Sequence, residues 1–111
     1  MMDKVAYKVL TAPQFAALQE GHFEGAPVDV ADGYIHLSSA AQLTDTVHKH
    51  FAGQDRLFVL AVDLTRLGGA VRWEISRGGQ LFPHLYGQLN MENVLAHAPL
   101  RWQGDEVAVP G

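Results

Sequence analysis

Apolar and polar positions alternate over residues 4–10, with Val5, Tyr7 and Val9 on one side, and predict a strand. Thr11-Ala12-Pro13-Gln14 fits a helix-opening capping box, with proline placed where its missing N–H costs little. Phe15 and Leu18 form the inner face of that helix, and Gly21 ends it. Residues 21–33 hold four Gly or Pro and three acids, and read as a loop. Tyr34 to Ser38 reads as a short strand, with Tyr34, His36 and Ser38 on one face and Ile35 and Leu37 on the other. Ser39-Ala40-Ala41-Gln42 is a second capping box. It opens a helix whose Leu43, Val47 and Phe51 recur every four residues, with Lys49 and His50 near its C-terminal end and Gly53 closing it.

The second half reads mostly as strands. Leu57 to Val62 is continuously apolar, as in a central strand covered on both faces. After a Gly68-Gly69 turn, Val71, Trp73 and Ile75 alternate with Arg72, Glu74 and Ser76. Arg77-Gly78-Gly79 breaks that strand. Leu81 to Tyr86 is extended, with Pro83 arguing against a central hydrogen-bonded position. Asn90 caps one helical turn, and Val94 to Ala98 forms a last strand. The sum is an α+β fold: one twisted sheet of five or six strands with two main helices in the N-terminal half. One domain spans residues 1–111, with its core over about 4–102 and a loose tail over 103–111.

Composition narrows the function classes. Hydrophobic residues make up 48% of the 111 and charged residues 18%, which excludes a disordered chain. Lys and Arg number 8 against 12 for Asp and Glu. That acidic balance speaks against duplex nucleic acid as a partner but allows a small anionic or nucleotide-like ligand held by one or two Arg. The absence of Cys excludes disulfides, thiolate metal sites and cysteine nucleophiles. Met1-Met2-Asp3-Lys4-Val5 lacks the basic and apolar regions of a secretory leader, and the longest apolar run is too short to cross a bilayer. A cytoplasmic protein with no membrane partner is expected.

Four stretches could carry chemistry. Tyr34, His36 and Ser38 present three hydrogen-bonding groups beside a helix start whose free N–H groups favour an anion. The competing reading has His36 tying a loop to the sheet and Ser38 merely capping. Glu74, beside Trp73, could have a raised pKa or bond a ribose hydroxyl; otherwise it is a solvated partner of Arg72 or Arg77. Arg77-Gly78-Gly79 combines a planar cationic fork with two residues that permit close backbone approach; otherwise it is a tight turn. Phe82, His84 and Tyr86 share a side that suits stacking on a flat ring with an imidazole hydrogen bond; otherwise they pack in the core. His48 and His50 diverge on their helix and cannot chelate one ion together. No metalloprotease or nucleophile-elbow motif is present, and His22 and His97 are given no role.

Tyr7-Lys8-Val9-Leu10, Asp32-Gly33-Tyr34-Ile35-His36-Leu37-Ser38, Phe51-Ala52-Gly53, Trp73-Glu74 and Ser76-Arg77-Gly78-Gly79 followed by Phe82-Pro83-His84-Leu85-Tyr86-Gly87 together resemble a family of short, mainly bacterial proteins. It is catalogued as domain of unknown function 952, and the resemblance runs from about Lys4 to Ala98. It implies a fold similar to the ADP-ribosyltransferases, a split mixed or antiparallel sheet whose central cleft holds NAD in relatives. In those relatives a strand His or Arg grips the adenosine-side ribose, and a Ser, Thr or Tyr lines the nicotinamide pocket. A Glu often steadies the charge that grows on the ribose as nicotinamide leaves. By position the resemblance assigns the ribose contact to His36, with Ser38 just beyond. Glu74 is the nearest candidate for the acid, although it precedes Arg77-Gly78-Gly79 instead of lying in a Glu-rich loop. The set His36, Arg77 and His84 is closer to relatives that act on an RNA 2′-phosphate with NAD, but the acidic charge speaks against a long RNA.

The resulting expectation is an enzyme of the ADP-ribosyl-transfer type or an NAD-cleaving relative, with NAD as substrate and no metal. His36, Glu74, Arg77 and His84 form the expected catalytic set. His36 bonds ribose, Arg77 pairs with pyrophosphate, Phe82 or Tyr86 stacks on a base, and Glu74 stabilises the oxocarbenium-like charge. Tyr34, His36, Ser38, Arg77, Gly78, Gly79, Phe82 and Tyr86 form the binding set. The alternative is a non-catalytic module that binds a nucleotide or small anionic metabolite in the same cleft. A third reading is a metal-dependent hydrolase using His36 and His84.

Overall fold

The computed structural model describes residues 3–111. The reading of Met1 and Met2 as part of a leaderless N-terminus lies outside the described residues. β1 (Val5–Thr11) runs straight into α1 (Ala12–Gln19). Thr11 Oγ1 accepts from the Gln14 N–H at 3.3 Å, and Gln14 Oε1 accepts from the Thr11 N–H at 2.9 Å, so both halves of the capping box form. Phe15 and Leu18 point inward and are buried.

The expected loop over 21–33 contains a helix. α2 (Pro27–Asp32) opens with Pro27 in its first turn and closes on Gly33, whose φ of 86° is the left-handed cap that glycine supplies cheaply. The same Pro and Gly that look like breakers are its start and stop. β2 (Ile35–His36) follows, then α3 (Ala40–His50), capped reciprocally by Ser39 and Gln42. Beyond lie β3 (Leu57–Asp63), the single turn α4 (Leu64–Leu67), β4 (Val71–Ile75), β5 (Leu81–Leu85) and β6 (Val94–Pro99). A small hairpin, β7 (Trp102–Gln103) with β8 (Glu106–Val107), ends the chain.

The strands form two three-stranded sheets instead of one continuous sheet. Their orders are β1-β3-β6 and β2-β5-β4, and every pairing is antiparallel. The sheets touch at one bridge, Tyr7 with Ser38. β3 is central and covered on both faces, as its apolar run predicts. Leu60 and Val62 join Ala6, Leu10 and Phe15 in one core, while Leu57 and Val59 join Val9, Leu43 and Val47 in another under α3. Among the described residues no helix is long and apolar enough to cross a membrane.

Two further expectations are corrected. Pro83 sits in β5, the central strand of its sheet, opposite Trp73. Its carbonyl accepts from Leu37 N–H on the β2 side, so its missing N–H faces the two-residue β2 and costs no bond to β4. The tail after Trp102 is also not loose. Val107 is buried against α3, and its N–H donates to Thr44 Oγ1 at 3.0 Å. Truncating that side chain with Val107→Ala removes core contacts and should cost about 1–3 kcal/mol in urea unfolding. An unchanged midpoint would return the segment to the status of a tail.

Candidate functional site

The two sheets part immediately beside their bridge. Tyr7 N–H bonds Ser38 O at 2.7 Å and Ser38 N–H bonds Tyr7 O at 2.9 Å. Because the Leu37 N–H turns toward β5, strand alternation turns the His36 N–H and C=O the other way, toward β1. Side chains meet them there. Asp29 Oδ1 accepts from His36 N–H at 3.0 Å, and Lys8 Nζ donates to His36 O at 2.9 Å. Lys8 Nζ also lies 2.9 Å from Asp29 Oδ2 and 3.2 Å from Oδ1, so three contacts match its three donors. Asp29 Oδ2 further accepts from Ala26 N–H at 2.8 Å, which helps fix the start of α2.

This buried set has a definite charge state. Burial alone would raise the Asp29 carboxyl, but the His36 hydrogen bond and the Lys8 charge outweigh it and hold the pKa at about 2. Burial pushes the Lys8 ammonium below its ordinary value, and Asp29 offsets part of that.

The two imidazoles face each other across β2 and β5, with ring centroids 5.5 Å apart. They differ in their partners. His36 Nδ1 lies 2.6 Å from Asp29 Oδ1, and its Nε2 lies 2.9 Å from Asp32 Oδ2. Carboxylates only accept, so both nitrogens of His36 donate in this arrangement. His84 Nδ1 lies 2.8 Å from Glu74 Oε1, which also accepts from Tyr86 Oη at 2.7 Å. Those two hydrogen bonds, His84 first, hold the Glu74 carboxyl below its ordinary pKa, the reverse of the raised value considered from sequence. The bond to Glu74 pushes the Tyr86 phenol up. The Tyr34 ring stacks on His84 at 4.1 Å and leans on His36 at 4.6 Å, while Arg72 lies over the Tyr86 ring at 4.7 Å.

Arg77 reaches the same region from beyond β4. Its Nη2 donates to Thr46 Oγ1 at 3.0 Å, and its guanidinium lies 4.9 Å from the centre of the Phe82 ring. Thr46 spends its hydroxyl proton on Gln42 O, so Ser38 Oγ, 2.8 Å away, donates to Thr46. Between these groups, β1, α2 and the end of α3 lies a cavity of about 820 Å³. His50 also lines it. Burial lowers the His50 pKa, and the charges of Arg77, His36, Lys49 and Lys8 lower it further.

Five of the residues singled out from sequence line this cleft: His36, Ser38, Arg77, Phe82 and His84. Tyr34, Glu74 and Tyr86 stand behind the imidazoles and touch the cleft only through them. Gly78 and Gly79 form the turn after Arg77, both at positive φ, and do not line the cavity. His36 has both ring nitrogens occupied, so a ligand hydroxyl there must displace Asp32 or bond elsewhere. Among the described residues no group of three or more His, Asp or Glu gathers to hold a metal ion. Lys8, Asp29, Asp32 and Thr46 were not picked out from sequence, and His50 was noted only for its place on α3. Lys8 did leave a signal, a single cation inside an otherwise apolar strand.

The ion pair makes a pH-resolved prediction. Asp29→Asn leaves Lys8 buried without its charge partner and should cost about 3–5 kcal/mol near neutral pH in urea unfolding. The native carboxyl titrates at about 2 against 3.8 for an unperturbed Asp, so its stabilisation is complete above 3.8 and disappears as pH falls toward 2. The gap between wild type and variant should narrow across that window. A gap that stays constant in acid would mean that the carboxylate charge contributes nothing.

The chain is similar to protein CC0527 from Caulobacter crescentus. Its crystal structure aligns with 43% identity over 93% of this chain and 91% of that one, at a TM-score of 0.84. The solution structure of the same protein aligns with 42% identity over 95% of this chain and 91% of that one, at a TM-score of 0.79. No functionally curated protein matches. The model of the family described as "Protein of unknown function (DUF952)" matches residues 9–97, and the chain belongs to that family.

Proposed function

We propose that the cleft between the two sheets binds a small nucleotide-like anion, with a phosphate group at Arg77. The observation that carries this reading is the guanidinium itself. It lines the cleft, is pinned by Thr46 and Phe82, and has no carboxylate partner among the described residues. Four of its five N–H donors have no bond among the described residues, and their planar fork matches a phosphate. Burial first, and the charge of Arg77 after it, lower the His50 pKa, so this imidazole in the cleft wall senses the guanidinium. Tyr7, Val9 and Phe51 supply an apolar wall for a flat ring, and the volume lies in the usual range for small-molecule sites.

Calorimetric titration with AMP, ADP-ribose and NAD tests this. Binding of at least one is expected, with Arg77→Ala weakening it by roughly tenfold or more and leaving the unfolding midpoint nearly unchanged. Wild-type affinity in Arg77→Ala would remove the assigned role. A bound anion also favours the protonated form of His50, so its lowered pKa should rise on binding. Protons are then taken up, read as a dependence of the heat on buffer ionisation enthalpy near pH 6 that diminishes in His50→Gln.

The second reading is ADP-ribosyl transfer or NAD cleavage on a split-sheet fold like that of the ADP-ribosyltransferases. It is favoured by the parting of the sheets at Ser38, with His36 beside the fork. In such a reaction the ribose–nicotinamide bond breaks, its electron pair leaves on nicotinamide, and an acceptor oxygen or nitrogen bonds the ribose carbon. Glu74 would act on the growing charge only through His84, since its carboxylate stands behind that ring. Chromatography for released nicotinamide separates the readings. Release that is lost in both His36→Ala and Arg77→Ala supports the enzyme, whereas NAD binding without release supports the binding module.

A further inference from the structure

We infer that Glu74 and His84 form a fixed hydrogen-bond acceptor in the cleft wall, which selects ligands that carry a hydroxyl donor in addition to the anionic group at Arg77. This rests on the anion-binding reading above and adds to it the class of ligand: a hydroxylated phosphate compound instead of a bare or deoxygenated one.

The argument begins with the ring's position. His84 lies on β5 between His36 on β2 and Arg72 on β4, and it is almost fully buried except where it lines the cleft. Tyr34 stacks on it at 27°, and the His36 ring meets it at 66°, so the imidazole is held in one orientation. Glu74 then sets which nitrogen carries the proton. A carboxylate cannot donate, so the proton of a neutral ring sits on Nδ1, 2.8 Å from Glu74 Oε1. Glu74 is kept ionised by this bond and by the one from Tyr86.

The lone pair is left on Nε2. Among the described residues that atom has no hydrogen-bond partner, yet no side-chain nitrogen or oxygen there is both sealed from solvent and without a partner. Nε2 therefore opens outward, and the cleft is the space the ring lines. His36 shows the contrast: 5.5 Å away, its two nitrogens are committed to Asp29 and Asp32, so it offers no free acceptor. An anionic ligand that fills the cleft without a donor opposite Nε2 strips water from a polar atom and gives nothing back.

The probes are AMP and 2′,3′-dideoxy-AMP, which share phosphate and base and differ in hydroxyls. Wild type should bind AMP roughly tenfold or more tightly than the dideoxy compound. His84→Phe should bind the two about equally while still binding both through Arg77. Equal wild-type affinities would overturn the inference, and so would discrimination that survives in His84→Phe. If neither compound binds wild type, the Arg77 reading itself fails and this inference falls with it. Imidazole nitrogen NMR of the wild type keeps the test independent of whether the buried variant folds. His84 should show a protonated Nδ1 and a bare Nε2 at pH 8, and Glu74→Gln, at a half-buried position, should produce a mixture of tautomers. A neutral His84 protonated on Nε2 in wild type would refute the arrangement.

Discussion

Where β1 and β2 separate, the His36 N–H and C=O face a gap in place of a neighbouring strand, and such groups are costly when buried and unpaired. Lys8 and Asp29 supply the missing bonds with their side chains. Buried ion pairs often fail to recover their desolvation cost, and those that do have hydrogen bonds for their remaining lone pairs and protons. Here the main chain of His36 and of Ala26 provides them. Two apolar residues of equal volume would leave the edge of β2 without partners. The pair thus serves as a spacer that satisfies the strand edge while keeping the two sheets from zipping together.

The cleft's chemistry follows from this spacer. Lys8 is paired with Asp29, whereas Arg77 has no carboxylate partner among the described residues. Strand alternation does the rest. In the β2-β5-β4 sheet it turns Ile35 and Leu85 to the core, and His36, Phe82, His84 and Glu74 to the opposite face. One face stabilises the fold, and the other lines or supports the cavity.

That alternation was readable from the chain. The sharing of a face by Tyr34 and His36, by Phe82, His84 and Tyr86, and by Arg72 and Glu74 follows from a two-residue period, and the ring contacts accord with it. Both capping boxes were readable because their bonds span only three residues. The fork was not. Lys8 finds Asp29 across 21 residues of sequence, and Arg77 finds Thr46 across 31. Asp29 lies on a short helix whose own Pro and Gly disguised it as a loop. Pro83 misled for a related reason: a missing N–H matters only on the side where a strand needs it, and local sequence does not say which side that is.

Likeness to the CC0527 structure extends its fold to this chain, but fold alone does not choose a reaction. The choice comes from how partners divide two similar side chains. His36 and His84 sit opposite each other on paired strands and share the Tyr34 ring, yet one is enclosed by two carboxylates and the other is held from behind by one. Their hydrogen-bonding characters are therefore opposite, although their residue type is the same. Together with the guanidinium of Arg77, which has no carboxylate partner among the described residues, this gives the cleft an order: cationic donors near α3 and, in the proposed tautomer, an acceptor on β5. A ligand of the proposed class would present an acceptor-rich anionic group at one point and a donor at another. A bare phosphate meets only the first requirement, and an apolar ring meets neither.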